Sequence, residues 1–385
     1  MKRRADAKPH RPKQPNIYHL AALVILCAVL IAVEYHGPNY TFDDANYVHY
    51  GKQILAGNFS PFESPYALGY VMPGTVAESF LIFGENNLAA SIPSMVEYLA
   101  LIIVTYFTLL NIERLDRFAF QTSIILAISA FVAVYTSRVL SDMLIGLIVA
   151  VSLYIISKND RHPMLAGAVL GVIIFVKFGG LVASLAVLVA VIATTPKKYS
   201  ARFFAGLAIL TLIYMTSIGW NIHAIEAYSA NQVNLSKVDL RVNLITMSVM
   251  MFFNYGLNKH IFDQVFPLGA IAFYAVIGAI MIVAKRDRRA MLFMITMAFA
   301  YLYLFFGTES ISTYKLITVV ERYMIWIALP IAVTAAYFIS ELYDWSVRRS
   351  GKKYATIVII SIVLLALLSN LPMLIIFHYK VFKYP

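Results

Sequence analysis

The sequence is short of charge. Of its 385 residues only 13% are Asp, Glu, Lys or Arg, against about 25% in soluble domains. A soluble chain of this length could not cover its surface with so few polar groups. The single cysteine, Cys27, excludes an intrachain disulfide and any disulfide-built scaffold. No G-x-x-x-x-G-K-[ST] loop, G-x-G-x-x-G turn or H-E-x-x-H helix occurs, so no motif for nucleotide phosphates or a zinc hydrolase is at hand. Low-complexity segments and solenoid or propeller repeats are also missing.

What the chain has in excess is apolar length. Runs of about 17–22 apolar residues recur along it, and a membrane-spanning helix needs about 20. The runs are continuous rather than alternating, which excludes a transmembrane β-barrel. The expected fold class is all-α: a polytopic bundle of about eleven transmembrane helices. The spans fall at roughly 18–33, 88–110, 118–136, 140–157, 164–177, 179–195, 203–219, 265–284, 290–306, 324–343 and 355–377. No small-residue cleavage site follows the first run, so it reads as a retained helix rather than a signal peptide.

The net charge of +11 reads as positive-inside bias, not as a nucleic-acid footprint. Segments 1–17, 111–117, 158–162, 196–202, 285–289 and 344–353, which the count places inside, hold 21 of the 31 Lys and Arg. The expected arrangement is a basic cytoplasmic tail at 1–17 and one membrane domain at 18–385, with the C-terminus outside. An odd helix count puts the long connections outside: loop 1 at about 34–87, loop 2 at about 220–264 and a shorter one at 307–323. Connections this long usually carry function.

Loop 1 opens with Thr41-Phe42-Asp43-Asp44-Ala45-Asn46-Tyr47. Thr41 and Asp44 resemble a capping box, and a helix over about 42–56, stopped by Gly57, should follow in the interface. Its first turn favours Asp43 and Asp44 through the helix dipole, and capping alone could explain both. A Pro-, Gly- and aromatic-rich stretch and a second amphipathic helix at 75–83 complete the loop. Its aromatics suit a membrane belt, with sugar stacking as the sharper use for one or two. The other charges expected outside include Lys52, Arg138, Asp142, Lys177 and Arg322. Each cation could snorkel to headgroups or bind phosphate. Arg138 and Asp142 stand four apart and could pair with each other, with a substrate or metal role as the alternative. His36, His49, His223 and His260 show no metal-ligand spacing. Sequons begin at Asn39, Asn58 and Asn234.

The order of these features resembles the GT-C superfamily of integral-membrane glycosyltransferases, especially the protein O-mannosyltransferase and aminoarabinose transferase branch. Asp43-Asp44-x-x-Tyr47, Gly57, Pro61, Pro65, Pro73 and Phe83-Gly84 match its first outer loop in order. Ser141-Asp142-Met143 resembles a further element, with Leu144 where Pro is common. Leu165-Ala166-Gly167-x-x-x-Gly171 and Phe175-Val176-Lys177-Phe178-Gly179 resemble the family's helix pair, with Val176 replacing Thr. Glu321-Arg322-Tyr323 and Pro330 resemble its Arg-Tyr…Pro element. The likeness covers 17 to about 195 and 320–335 and fades across 220–310.

The resemblance implies transfer of a sugar from a polyprenyl-phosphate carrier to an acceptor on the outer membrane face, with inversion. It implies Asp43 as the general base and Asp44 as its partner, with Tyr47 beside them. Lys52, Lys177 and Arg322 become candidates for the lipid phosphate, and Arg138, Asp142 and Tyr47 for a substrate or metal contact. No cofactor is required, and a divalent cation is left open. The expected partners are the lipid-linked donor, a protein or glycolipid acceptor and the bilayer. The alternative class is a secondary transporter or a lipid-linked glycan flippase or polymerase. A transporter would place its ionisable groups near mid-membrane.

Overall fold

The computed structural model describes residues 14–38, 43–63, 65–158, 162–218, 269–306 and 321–383. Most of the basic tail, Thr41, loop 2 with His223, His260 and the Asn234 sequon, the Asn39 sequon and the loop at 307–320 lie outside the described residues.

Helices form at every expected span. α1 (Ile17–Val33) opens where the Asn16 side chain accepts from the Tyr18 N–H. Loop 1 folds into α2 (Asp43–Leu55), α3 (Pro65–Leu68) and α4 (Val71–Phe83). α5 (Asn87–Asn111) follows at once, capped by the Asn86 side chain. Next come α6 (Ala119–Ala127), α7 (Ala130–Ala133), α8 (Ser141–Lys158), α9 (Pro163–Gly171), α10 (Ile173–Val176), α11 (Leu181–Thr194) and α12 (Lys197–Ser217). Beyond residue 268 lie α13 (Ala270–Lys285), α14 (Arg288–Phe306), a 3-10 turn at Glu321–Ile327 and α15 (Ala328–Lys383). Gly351, at φ 83°, breaks α15 where the sequence marks a basic turn between two spans.

Helices α5, α8, α12 and the stretch Arg322–Asn370 are long and apolar enough to cross a membrane. Their surfaces agree. On α12, Phe204, Ile209, Leu212 and Ile213 are exposed, and on α15 so are Ile357, Ile360, Leu364, Leu365 and Leu368. In water such stripes would drive aggregation; against lipid they cost nothing. The chain is an integral membrane protein.

Two expected spans are not single helices. The third is split at Ser129, whose extended backbone separates α6 from α7. Its hydroxyl donates back to Ile125 O at 2.7 Å, and the Asn370 side chain accepts from the next free N–H, that of Ala130, at 3.4 Å. Buried side-chain partners let a helix break inside the membrane region. The fifth is divided at Val172 into α9 and α10, and it ends where expected, at Lys177, which is extended (φ −165°, ψ 126°), before a 3-10 turn at Phe178–Gly180. In loop 1, the exposed side of α4 is largely apolar, with Glu78 its one charge. Met72, Val76 and Phe80 are buried while Leu81, Ile82 and Phe83 are exposed.

Packing follows small residues, as expected where lipid competes equally for large apolar side chains. α9 lies against α12. A Cβ on Gly167 would overlap the Phe203 carbonyl, and one on Gly206 would overlap that of Met164. At the bundle end away from loop 1, Arg117 forks onto Asp344 at 2.8 and 3.1 Å, and Lys285 and Arg114 both pair with Glu341. These pairs tie the short basic connections together. Gly167→Val should force α9 off α12 and lower the thermal unfolding temperature in detergent, with a cost of about 1–3 kcal/mol or more. Unfolding at the unaltered temperature would contradict this packing.

Candidate active site

The site begins with two adjacent acids that fold apart. Asp44 is fully buried and accepts from Arg138 Nε at 3.1 and 3.2 Å and Nη2 at 2.7 Å. It also accepts from the Val139 N–H at 2.7 Å. A charge-assisted fork with a backbone bond satisfies a carboxylate that water cannot reach. Three residues on, Tyr47 donates to Ser141 Oγ at 3.0 Å. Burial pushes the Tyr47 phenol well above its ordinary range, with Lys177, Asp43 and Asp142 within electrostatic reach. It stays protonated. Together these contacts fasten α2 onto the start of α8. Tyr47, Val48, Met72, Val76, Phe80 and Val139 form the apolar layer beneath.

Asp43 faces the other way, keeps 17% of its side chain exposed, and pairs with Arg322 Nη2. Arg322 also reaches back through Nε to Asp142 Oδ2 at 3.2 Å. Asp142, in the first turn of α8, has no exposed side-chain surface. It meets Lys177 Nζ at 3.6 Å and accepts from the Trp326 indole N–H at 2.9 Å. The result is a chain of charges, Asp43–Arg322–Asp142–Lys177, with two acids matching two cations. Lys177 and Arg322 are only 11% and 16% exposed. The Tyr323 ring lies 5.1 Å from Lys177 Nζ and 5.9 Å from the Arg322 guanidinium, and packs on Trp326 at 4.6 Å. Cations stacked on aromatic faces are held without losing charge.

The fold positions each member by a local interruption. Lys177 turns inward because the helix ends there. Arg322, Tyr323 and Trp326 share the 3-10 turn Glu321–Ile327. That turn approaches α8 closely, since a Cβ on Gly146 would sit 2.6 Å from the Ile325 carbonyl oxygen. Beside Lys177, Tyr70 of loop 1 packs on Phe175 and Tyr214, and Tyr214 donates to Leu68 O at 3.2 Å. This aromatic group clamps loop 1 to α10 and α12.

Of the residues singled out from sequence, Asp43, Asp142, Lys177 and Arg322 come together, with Tyr47 and the Asp44–Arg138 pair directly behind. The Arg138–Asp142 pairing does not form. Arg138 precedes the start of α8, so the one-turn spacing of a helix never applies, and Asp44 takes the guanidinium instead. Lys52 stands apart, half-exposed and paired with Glu85 at 3.1 Å. Trp326 was not singled out, although it is one of three tryptophans and follows Arg322 by four residues. Among the described residues no three His, Cys, Asp or Glu side chains gather as a metal site.

The arrangement can hold an anion between two cations and keep a partly exposed carboxylate at its edge. The buried Asp44–Arg138 pair should be structural. Asp44→Ala strands Arg138 and should cost about 3–5 kcal/mol, read as a large drop in thermal unfolding temperature. An unchanged temperature would contradict the pairing.

No family model matches the chain, and no curated protein matches it by sequence. Solved structures do. The crystal structure of ArnT from Cupriavidus metallidurans in the apo state aligns over 95% of this chain and 74% of that one, with a TM-score of 0.55 at 12% identity. A second, of the same protein bound to undecaprenyl phosphate, gives a TM-score of 0.48 at 14% identity, covering 95% and 75%. The chain has the fold of ArnT across nearly its whole length.

Proposed function

We propose that this protein is a membrane glycosyltransferase that moves a sugar from a polyprenyl-phosphate carrier to an acceptor hydroxyl on the outer membrane face, with inversion. One observation carries the reading: Lys177 and Arg322, two mostly buried cations, converge beside Asp43 where loop 1 meets the bundle. The ArnT fold and the ordered loop 1 residues support it.

The chemistry needs few groups. Asp43 accepts the acceptor's hydroxyl proton as that oxygen attacks the anomeric carbon from the face opposite the phosphate. The new C–O bond forms as the sugar–phosphate bond breaks, and its electron pair stays on the phosphate oxygen. Lys177 and Arg322 neutralise that growing charge. The leaving group is already a stable anion, so neither an acid catalyst nor a cofactor is required, and the two cations supply positive charge a divalent ion would otherwise bring. Asp44, Arg138, Tyr47 and Ser141 hold the helix that carries Asp43. Lys52 has no part in this reading. The resemblance favours a hexose, mannose among them, and a protein hydroxyl or a glycolipid as acceptor.

Glu97 favours the runner-up, a secondary transporter. It is 6% exposed near the middle of α5, and desolvation of such a group is what transporters exploit. Under the transferase reading Glu97→Gln keeps transfer activity. Asp43→Asn should abolish it, by about 100-fold or more, in protein that still inserts and folds. The assay is release of free polyprenyl phosphate from a radiolabelled polyprenyl-phosphate sugar incubated with membrane acceptors. Full activity in Asp43→Asn, or loss in Glu97→Gln alone, would overturn the assignment. Arg322→Ala should weaken donor binding more than acceptor binding, and equal weakening would count against its phosphate role.

A further inference from the structure

Arg322 is held by two carboxylates of different character. Its Nε edge meets Asp142 at 3.2 Å, and its Nη2 end meets Asp43. Asp142 is fully buried and also takes the Trp326 indole N–H at 2.9 Å. Asp43 lies 17% exposed at the mouth. Breaking the inner contact leaves a buried charge short of a cation, whereas Asp43 is already in reach of water when Arg322 leaves.

We infer that Arg322 changes partners during turnover: at rest its outer end sits on Asp43, and the donor phosphate takes that end while Asp142, fixed by Trp326, keeps the inner edge. This rests on the reading of the site as a polyprenyl-phosphate sugar transferase. Asp142 and Trp326 are then positioning residues, and Asp43 stands in for the phosphate until the donor arrives.

Charge counting supports the exchange. The resting cluster has two acids and two cations. A bound sugar phosphodiester adds one negative charge, and a guanidinium suits a phosphate at least as well as a carboxylate. While Arg322 stays on Asp43, the guanidinium occupies the oxygen that would take the acceptor's proton. Moving Arg322 to the phosphate relieves both faults. During transfer Asp43 gains the acceptor proton and becomes neutral, while the phosphodiester becomes a monoester carrying up to one more negative charge. Arg322 thus follows the negative charge from one side of the reaction to the other, and its attraction to the phosphate is greatest where bond breaking is most advanced. Lys177, at 3.6 Å from Asp142, is loosely enough held to lean toward the same phosphate. The exchange also sets an order: the base is released only when the donor is in place.

The inference separates two acids that a simple charge argument would treat alike. Binding of undecaprenyl phosphate to the purified full chain in detergent is the measurement, with each variant's fold checked by thermal unfolding. Asp43→Asn removes the competitor and should bind the lipid about three- to tenfold more tightly than the unaltered protein. Asp43→Ser, expected to behave alike, serves if the amide variant does not fold. Trp326→Phe loosens Asp142 and should bind about three- to tenfold more weakly, and Trp326→His, which keeps a ring N–H, should recover part of the loss. Equal or weaker binding by both Asp43 variants overturns the exchange. Unaltered binding by Trp326→Phe, or no recovery in Trp326→His, overturns the positioning role. Failure of the unaltered protein to bind the lipid would overturn the functional reading itself, a different result from binding that ignores Asp43.

Discussion

A carboxylate without water must be given its cations by the fold, and Asp142 is where this protein meets that demand. It sits in the first turn of α8 with no exposed side-chain surface. Removing an ionised carboxylate from water costs several kcal/mol even after relaxation. Lys177, Arg322 and Trp326 provide the compensation, and they come from two segments that would otherwise have no reason to meet there. The helix break at Lys177 and the 3-10 turn at Glu321–Ile327 are the structural terms of that compensation. On the proposed reading the same cations serve a second anion, Arg322 by letting go of Asp43.

Asp43 and Asp44 show how one residue of sequence divides structure from chemistry. Consecutive residues on a helix point about 100° apart. That rotation sends Asp44 under α2, where Arg138 and the Val139 N–H saturate it. It leaves Asp43 on the open side with Arg322. Asp44 secures the helix, and Asp43 stays partly exposed beside Arg322, where the proposed reading places the substrate. The cost of Asp44's burial is met once, in the fold, so that Asp43 can be held in place without being desolvated.

Much of the architecture was legible because lipid demands continuous apolar length, and the charge-poor runs from α1 to α15 announce it directly. The basic connections around 285–289 and 344–353 separate the spans equally clearly. The breaks were legible only in part. The break at Lys177 falls where the sequence ends the fifth span, but Ser129 interrupts a helix whose apolar pattern continues, since the side chain that meets the freed Ala130 N–H comes from Asn370, 240 residues away. At the site, Asp43, Lys177 and Arg322 could be singled out because few charges are expected outside and the family resemblance falls on their motifs. Their mutual pairing could not be, because Asp43 and Arg322 are 279 residues apart. The local reading of Arg138 with Asp142 failed for the same reason: sequence spacing suggests a partner only where a helix already exists. Trp326 gave no signal, because an aromatic residue among the apolar residues that follow Tyr323 hides the one N–H that matters.

The central claim is that the donor phosphate lies between Lys177 and Arg322, beside Asp43. An experimental structure of the full chain with undecaprenyl phosphate bound tests it most directly. The account predicts the phosphate within hydrogen-bonding reach of Lys177 and Arg322, with Arg322 drawn off Asp43 and the Trp326–Asp142 contact intact. A phosphate seated elsewhere, with the Asp43–Arg322–Asp142–Lys177 chain unchanged, would contradict it.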